Sequence, residues 1–497
     1  MIKTVLIANR GEIAMRIIRA CREMHIRTVA VYSEADATAP HVMAANDAVL
    51  LGPAAASDSY LKVDALLDAA RRTGADAVHP GYGFLSENAA FAASCEAAGL
   101  TFIGPSSQVI AAMGSKTAAR KAVSAAGVPV VPGETPVSQD LADVRAAMSR
   151  VGYPALLKAS AGGGGKGMRI VRSDNEADEA IAAASREASR AFADGTVYVE
   201  RLIERPRHIE VQIMADQHGQ TVHLFERDCT LQRRHQKVIE EAPGPTVTPA
   251  IRERMTRAAI AAAQAVGYVN AGTIEFLLSG EEFYFLEMNT RLQVEHPITE
   301  QITGVDLVRA QLLVASGERL PFRQDDLQVR GHAVECRVYA EDPAAGFLPQ
   351  SGPLLRYREP QGPGIRVDAG VREGQDITVF YDPMIAKVIA TGESREAAFA
   401  RATLALKDFD ILGLQHNIGF LVSLLTDARV LACDTHTRFI EEHIDDFVPG
   451  YSHERLHALV ALAAQASIRP SSIPHSPSSI PHPPSLDPFT TLGKVSF

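Results

Sequence analysis

Apolar and polar positions along this chain follow two rhythms. In the first part, short apolar runs read as strands: Thr4-Val5-Leu6-Ile7-Ala8, Thr28-Val29-Ala30-Val31-Tyr32 and Ala75-Asp76-Ala77-Val78. Helical spacing from Gly11 to Glu23, Ser59 to Arg72 and Asn88 to Ala98 falls between or after them. That alternation predicts a parallel sheet with crossover helices. A helix from Ser115 to Ala126 then leads through Gly127-Val128-Pro129 into a strand-dominated region. Its strands are predicted at Tyr153 to Lys158, Val197 to Ile203, His208 to Met214, Val222 to Glu226, Thr273 to Leu278 and Phe283 to Asn289. A third, strand-rich part opens past Arg330 with His332 to Tyr339 and closes with helices near residue 445. The tail differs again: His453 to Ala466 is spaced as a helix, and Ser471-Ser472-Ile473-Pro474-His475 recurs as Ser478-Ser479-Ile480-Pro481-His482. Proline and serine at that density build no core, so a flexible linker is expected there. The expected fold class is therefore α/β and α+β, divided at 1–112, 113–329, 330–446 and 447–497.

Composition narrows this picture only modestly. A chain of 497 residues exceeds one ordinary core. Its formal net charge of -10 argues against nucleic acid as the main partner, while leaving room for local basic pockets that take small anions. The five cysteines (Cys21, Cys95, Cys229, Cys336, Cys433) lie far apart without a CxxC pair and are expected as reduced thiols. Met1-Ile2-Lys3-Thr4 runs straight into a strand-like segment, and no apolar run reaches membrane-spanning length. No signal peptide and no membrane partner are expected, and the expected location is cytoplasmic. The first strand leads into Ala8-Asn9-Arg10-Gly11-Glu12-Ile13, with one glycine where a dinucleotide fingerprint needs three, so the Rossmann-like start does not predict NAD.

Candidate chemistry concentrates in Glu287-Met288-Asn289-Thr290-Arg291-Leu292-Gln293-Val294-Glu295-His296-Pro297. In an extended chain, Glu287, Asn289, Arg291, Gln293 and Glu295 share one face and Met288, Leu292 and Val294 the other. The preceding Phe283-Tyr284-Phe285-Leu286 reads as buried, which favours a buried polar site over a solvated edge. Gly272 to Leu278 carries one carboxylate, Glu275, in an apolar strand, and a turn centred on Glu281 would set Glu275 opposite Glu287. Two facing carboxylates repel, and burial raises the cost. A dication between them removes the conflict, with Asn289 able to add an oxygen. A one-residue register shift would instead leave both glutamates in water.

Other segments are less specific. The run Gly162-Gly163-Gly164-Gly165-Lys166-Gly167 follows a strand carrying Lys158 and suits close approach of backbone N–H groups to phosphate. It is not a Walker A loop, since Gly167 follows Lys166. Lys116 and Lys158 are candidate phosphate contacts. His208, Glu210 and Gln212 alternate onto one strand face. Gln232-Arg233-Arg234-His235-Gln236-Lys237 reads either as a solvated basic loop or as an anion pocket. Arg337 shares a strand face with Glu335, and the residues alone favour an ion pair between them.

Taken together, these motifs resemble the biotin carboxylase family of the ATP-grasp superfamily. The resemblance rests on Ala8 to Ala14, His79 to Asn88, Gly162 to Met168, Phe285 to Arg291, Gln293 to Pro297 and Arg337 to Pro343, in family order across about residues 1 to 445. It implies a Rossmann-like N-terminal domain, an ATP-grasp centre with a mobile lid over about 131–203, and a strand-rich C-terminal domain. It also implies ATP and Mg²⁺ (or Mn²⁺). Lys116, Lys158, His208 and the glycine loop (Gly163, Gly164, Gly165) would meet the phosphates. Glu200, Arg201, Leu202 and Ile203 would hold adenine, with Gln232 and His235 completing the nucleotide contacts. Glu275, Glu287 and Asn289 match the family's metal ligands. Bicarbonate would lie among Lys237, Arg291, Gln293 and Val294, with Glu295 taking its proton to give carboxyphosphate. Arg337 would then stabilise the enolate of biotin, which displaces the ion-pair reading for that residue. No biotinylation motif is present, so the resemblance implies a separate biotin carboxyl carrier protein or domain, a carboxyltransferase subunit and a homodimer. Another ATP-grasp ligase, or a non-catalytic ATP-binding assembly subunit, are the competing expectations.

Overall fold

The computed structural model describes residues 1–159, 168–192 and 195–448. The tail of 449–497 and the glycines of 162–167 lie outside them. The N-terminal alternation folds into a parallel sheet of five strands. These are β1 (Thr4–Ile7), β2 (Arg27–Ser33), β3 (Asp47–Gly52), β4 (Ala77–His79) and β5 (Thr101–Phe102), in the order β3-β2-β1-β4-β5. All four residues of β1 are buried because successive side chains feed two cores. Val5 and Ile7 pack with Ile13 and Ile17 of the helix Gly11–Glu23, whereas Leu6 packs with Leu66 and Ala70 of the helix Val63–Thr73. The edge strand β3 was not expected. Its residues are only half-buried or exposed, so it lacks the continuous apolar run that marks its neighbours.

A second sheet carries its own small core. It comprises β6 (Gly133–Glu134), β7 (Ala155–Ala159), β8 (Arg169–Val171) and β9 (Val197–Arg201), in the order β6-β9-β7-β8. Leu157, Val171 and Val199 pack there against Val144, Met148 and Ile181 of two helices.

The largest sheet has eight antiparallel strands. It begins with β10 (Arg207–Ala215), β11 (Thr221–Arg233), β12 (Gln236–Ala242), β13 (Asn270–Ser279), β14 (Glu282–Asn289) and β15 (His332–Tyr339). Their order is β14-β13-β10-β11-β12-β15, followed by the strands Met384–Gly392 and Ile365–Ala369. The sheet runs without a break past residue 330: Ile239 of β12 pairs with Cys336 of β15, and Glu240 with Glu335. Every residue of β15 is buried.

Two local expectations are corrected. The strand predicted at Phe283 to Asn289 forms, but the extended alternation read onward from Glu287 to Glu295 stops at Asn289. Pro297 has no N–H for a sheet ladder, and it sits instead in the first turn of the helix His296–Thr303, with Glu295 at its N-cap. The basic segment 232–237 is not an open loop. It is the end of a β-hairpin, in which Gln232 pairs with Lys237 and Arg233 with Gln236. Arg234 and His235 form its two-residue turn with φ of 49° and 64°, the left-handed pair such a tight hairpin requires.

Candidate active site

The hairpin of β13 and β14 brings the two predicted carboxylates together by a route the sequence did not suggest. Its turn is Gly280-Glu281, since Ser279 pairs with Glu282, and an unbroken register from there would set Glu275 opposite Leu286. A bulge between Glu275 and Phe276 inserts one residue in β14 and restores the pair Glu275–Glu287, with Asn289 opposite Thr273. Glu275 is buried, and Glu287 opens to solvent. Burial would raise the Glu275 carboxyl, but Lys237 and His208 more than reverse this and hold it well below the carboxylate range. The protein around Glu287 and the charge of Glu275 push the Glu287 carboxyl upward. Two carboxylates on one face, one disfavoured by the other's charge, fit a hard dication. Asn289 shares that face, although here its Nδ2 donates to Glu275 Oε1 at 2.9 Å and its Oδ1 accepts from Arg291 at 3.0 Å.

Beyond the hairpin, cations and carboxylates interleave. Lys237 Nζ donates to Glu210 Oε2 at 2.6 Å, Glu275 Oε1 at 2.9 Å and Glu295 Oε1 at 2.6 Å. The other oxygen of Glu295 accepts from Arg337 at 2.9 Å. Burial alone would raise Glu295; Lys237, Arg337 and Arg227 outweigh it and hold the carboxyl well below its ordinary range. Gln293 Nε2 donates to Glu275 Oε1 at 3.0 Å. Arg291 Nε donates at 2.8 Å to Glu87, whose other oxygen accepts from the Thr290 N–H at 3.1 Å. The motif His79 to Asn88 is thereby tied to the central sheet. His208 Nε2 lies 3.1 Å from Glu275 Oε2.

Arg337 does not pair with Glu335, as strand alternation alone suggested. Its Nε donates to Glu240 Oε1 at 2.6 Å, across the sheet from β12, and neither Glu335 oxygen accepts a hydrogen bond among the described residues. Arg337, Arg291 and Val294 also line a cavity of about 370 Å³ with Tyr82, Gln236 and Asp382. The Val294 carbonyl accepts from the fully buried Lys387 at 2.6 Å.

The expected phosphate and adenine contacts lie nearby but are spread wider. Lys116 opens the helix Lys116–Ala125 and lines a cleft of about 240 Å³ with Glu87, Glu287 and Asn289. Lys158 Nζ donates to Glu200, which also accepts from Arg120 at 2.8 Å. Arg201 is exposed and reaches Tyr284 Oη at 2.9 Å. Leu202 and Ile203 follow β9 half-buried, and the Leu202 N–H donates to the Pro154 carbonyl at 3.0 Å. Gln232 is buried and His235 exposed at the hairpin end. Gly163, Gly164 and Gly165 lie outside the described residues.

Sequence reasoning missed Glu87, Glu240, Arg227 and Lys387. Glu87 lies within the motif His79 to Asn88 and Glu240 just past the basic segment 232–237, but their partners are distant in sequence. The signal for Lys387 was a lone cation within an otherwise apolar strand, whereas Arg227 sits between Glu226 and Asp228 in a mixed strand that gave no such signal.

A sheet-borne carboxylate hairpin faced by lysines, with a separate small sheet bearing Lys158, defines an ATP-grasp enzyme. Residues 1–110 match the family described as "Biotin carboxylase, N-terminal domain", 115–323 "Carbamoyl-phosphate synthase L chain, ATP binding domain", and 335–442 "Biotin carboxylase C-terminal domain". A biotin carboxylase of Halalkalibacterium halodurans is 52% identical over 445 residues, covering 89% of this chain and 98% of that one. The mitochondrial methylcrotonoyl-CoA carboxylase subunit alpha of Oryza sativa is 50% identical over 474 residues, 93% of this chain and 64% of that one. Among solved structures, the biotin carboxylase domain dimer of Hydrogenobacter thermophilus 2-oxoglutarate carboxylase, in complex with MgADP, ADP and bicarbonate, is 45% identical with a TM-score of 0.86. That match covers 91% of this chain and 100% of the other. The chain belongs to the biotin carboxylase family.

Proposed function

We propose that this chain uses ATP and bicarbonate to carboxylate biotin borne on a separate carrier protein, the first half-reaction of an acyl-CoA carboxylase. The observation that carries this reading is Glu295, held between Lys237 and Arg337, with the carboxylate hairpin on one side and the Arg337-lined cavity on the other. Lys237, Arg291, Gln293 and Val294 surround the place for bicarbonate. As that anion takes up the positive charge of Lys237 and Arg337, their hold on Glu295 loosens and its carboxylate becomes a competent base for the bicarbonate proton. Lys116, Lys158, His208 and the glycine loop offer donors to the phosphates, and residues 200–203 with Gln232 and His235 frame the nucleoside. Glu275 and Glu287, with Asn289, would hold Mg²⁺, which when bound offsets charge on the phosphate oxygens. Arg337 is placed for the ureido oxygen of biotin, where negative charge develops. The cavity lies between the N-terminal motif and the C-terminal strands, which suits entry of a biotin arm from another protein. A carboxyltransferase subunit would take the product onward, and the dimeric relative supports a homodimer.

The test is ATP hydrolysis followed with bicarbonate present or omitted, each with and without free biotin. Turnover that needs bicarbonate and rises with biotin supports the proposal. Hydrolysis indifferent to both would point to another ATP-grasp ligase, and no hydrolysis to a binding subunit.

A further inference from the structure

Arg227 is wholly shielded from solvent, and each of its five donor hydrogens has an acceptor. Nε donates to Glu210 Oε1 at 2.5 Å, Nη1 to Gln212 Oε1 at 2.7 Å and Thr299 Oγ1 at 3.0 Å, and Nη2 to Thr273 Oγ1 at 3.2 Å and Gln293 Oε1 at 2.7 Å. These partners come from β10, β13 and the segment that carries Glu295. The backbone is bent to deliver the side chain there. Val211 pairs with Glu226 but Ile213 with His223, so β11 holds one extra residue, and Phe225 sits in the left-handed region at φ 64°. Without that bulge, Arg227 would project with His223 and Phe225, opposite to Val222. With it, Arg227 shares the face of Val222 and of its cross-strand partner Glu210. A strained, non-glycine bulge at this point is the kind of distortion that surrounding structure maintains where a side chain must be aimed.

We propose that Arg227 is a positioning residue for bicarbonate, acting through the carboxamide of Gln293. A carboxamide has an accepting and a donating end. A guanidinium is always charged and only donates, so it commits Gln293 Oε1 to itself and leaves Nε2 as the end presented to the Lys237–Glu275 side. Glu210 supplies the counter-charge that anchors Arg227 there. Lysine cannot reproduce this fork, because its point charge reaches fewer partners. The inference rests on the reading that Gln293 holds bicarbonate.

The test is a double-mutant cycle on the full-length protein, reading KM for bicarbonate, KM for ATP and thermal midpoint. Arg227→Lys is expected to raise the bicarbonate KM at least tenfold with the ATP KM within twofold. In a Gln293→Ala background the same change should shift the bicarbonate KM less than threefold. An additive cycle, or a fall in kcat with both KM values unchanged, would overturn the proposal in favour of a purely structural buried ion pair. If Arg227→Lys does not yield folded protein, Thr299→Val removes one partner and is read the same way. A threefold rise in bicarbonate KM supports the proposal, and none overturns it. Gln293→Ala alone separates the two readings: if it leaves the bicarbonate KM unchanged, the pocket assignment itself fails and the role of Arg227 falls with it, whereas a raised KM with an additive cycle overturns the role of Arg227 alone.

Discussion

Glu295 accepts from Lys237 and Arg337, yet each of those cations keeps another carboxylate when Glu295 is neutralised. Lys237 retains Glu210 and Glu275, and Arg337 retains Glu240. Glu295→Gln is therefore expected to leave the fold in place while removing the base. Bicarbonate-dependent turnover should fall at least about a hundredfold, or ~2.7 kcal/mol of transition-state stabilisation, with little change in thermal midpoint. Steady-state kinetics beside a melting curve checks this, and unchanged turnover would refute the general-base role. At this scale much of the site was legible. Glu275, Glu287, Arg291, Gln293, Glu295 and Arg337 stood out because charged and polar groups in apolar surroundings need partners. The identity of those partners was not legible. The alternation of β15 pointed Arg337 at Glu335, whereas the neighbouring strand β12 supplies Glu240 instead.

At the scale of elements, the carboxylate hairpin is poised by a like-charge pair. Glu287→Gln removes the repulsion with Glu275, so without metal the variant should melt slightly higher, by up to about 1 kcal/mol of stability. With Mg²⁺ and nucleotide the order should invert, because one of two carboxylate ligands is gone, and the Mg²⁺ needed for half-maximal activity should rise at least tenfold. Thermal shifts with and without Mg²⁺ and nucleotide, together with a Mg²⁺ titration of activity, check both halves. A variant no more stable than the parent without metal would show that the two charges are not in conflict. The element also shows where sequence reasoning succeeds for the wrong reason. The expected pairing of 275 with 287 assumed a turn centred on Glu281. The tight Gly280-Glu281 turn alone would have misaligned the pair, and the bulge beside Glu275 corrects it. Bulges leave no mark in a hydrophobic pattern beyond a lost phase, and in a strand as apolar as Phe283 to Leu286 that phase is not readable.

Across the whole molecule, two buried histidines of the N-terminal part tie stability to pH. Burial lowers His41 to about 4 and His79 to about 3. Both lie far below the ordinary imidazole value of about 6.5. Both are neutral in folded and unfolded chains above that value, so their contribution is fully present there. As pH falls from 6.5 towards 4, the unfolded chain takes up protons that the folded chain refuses, and stability falls. Each such histidine contributes up to about 1.4 kcal/mol per pH unit. Urea unfolding between pH 4 and 6.5 should therefore lose about one proton's worth of slope in His41→Asn, and an unchanged slope would exclude His41 from the effect.

The linear chain by itself determined which residue types the site would contain, and the order of parallel and antiparallel regions. Period-two and helical spacing, together with charge set in apolar runs, are properties of neighbouring residues and survive without a fold. Tertiary structure alone decided three things. The central and C-terminal strands share one sheet, so that Arg337 reaches Glu295 through the pairing of β12 with β15. The segment past Asn289 gives up the extended form and leads into a helix whose N-cap is Glu295. Arg227 is turned by the Phe225 bulge onto the face of Glu210. Each depends on contacts between segments that lie apart in the sequence, where register and burial are set by the competing demands of several strands at once, and no local pattern encodes that balance.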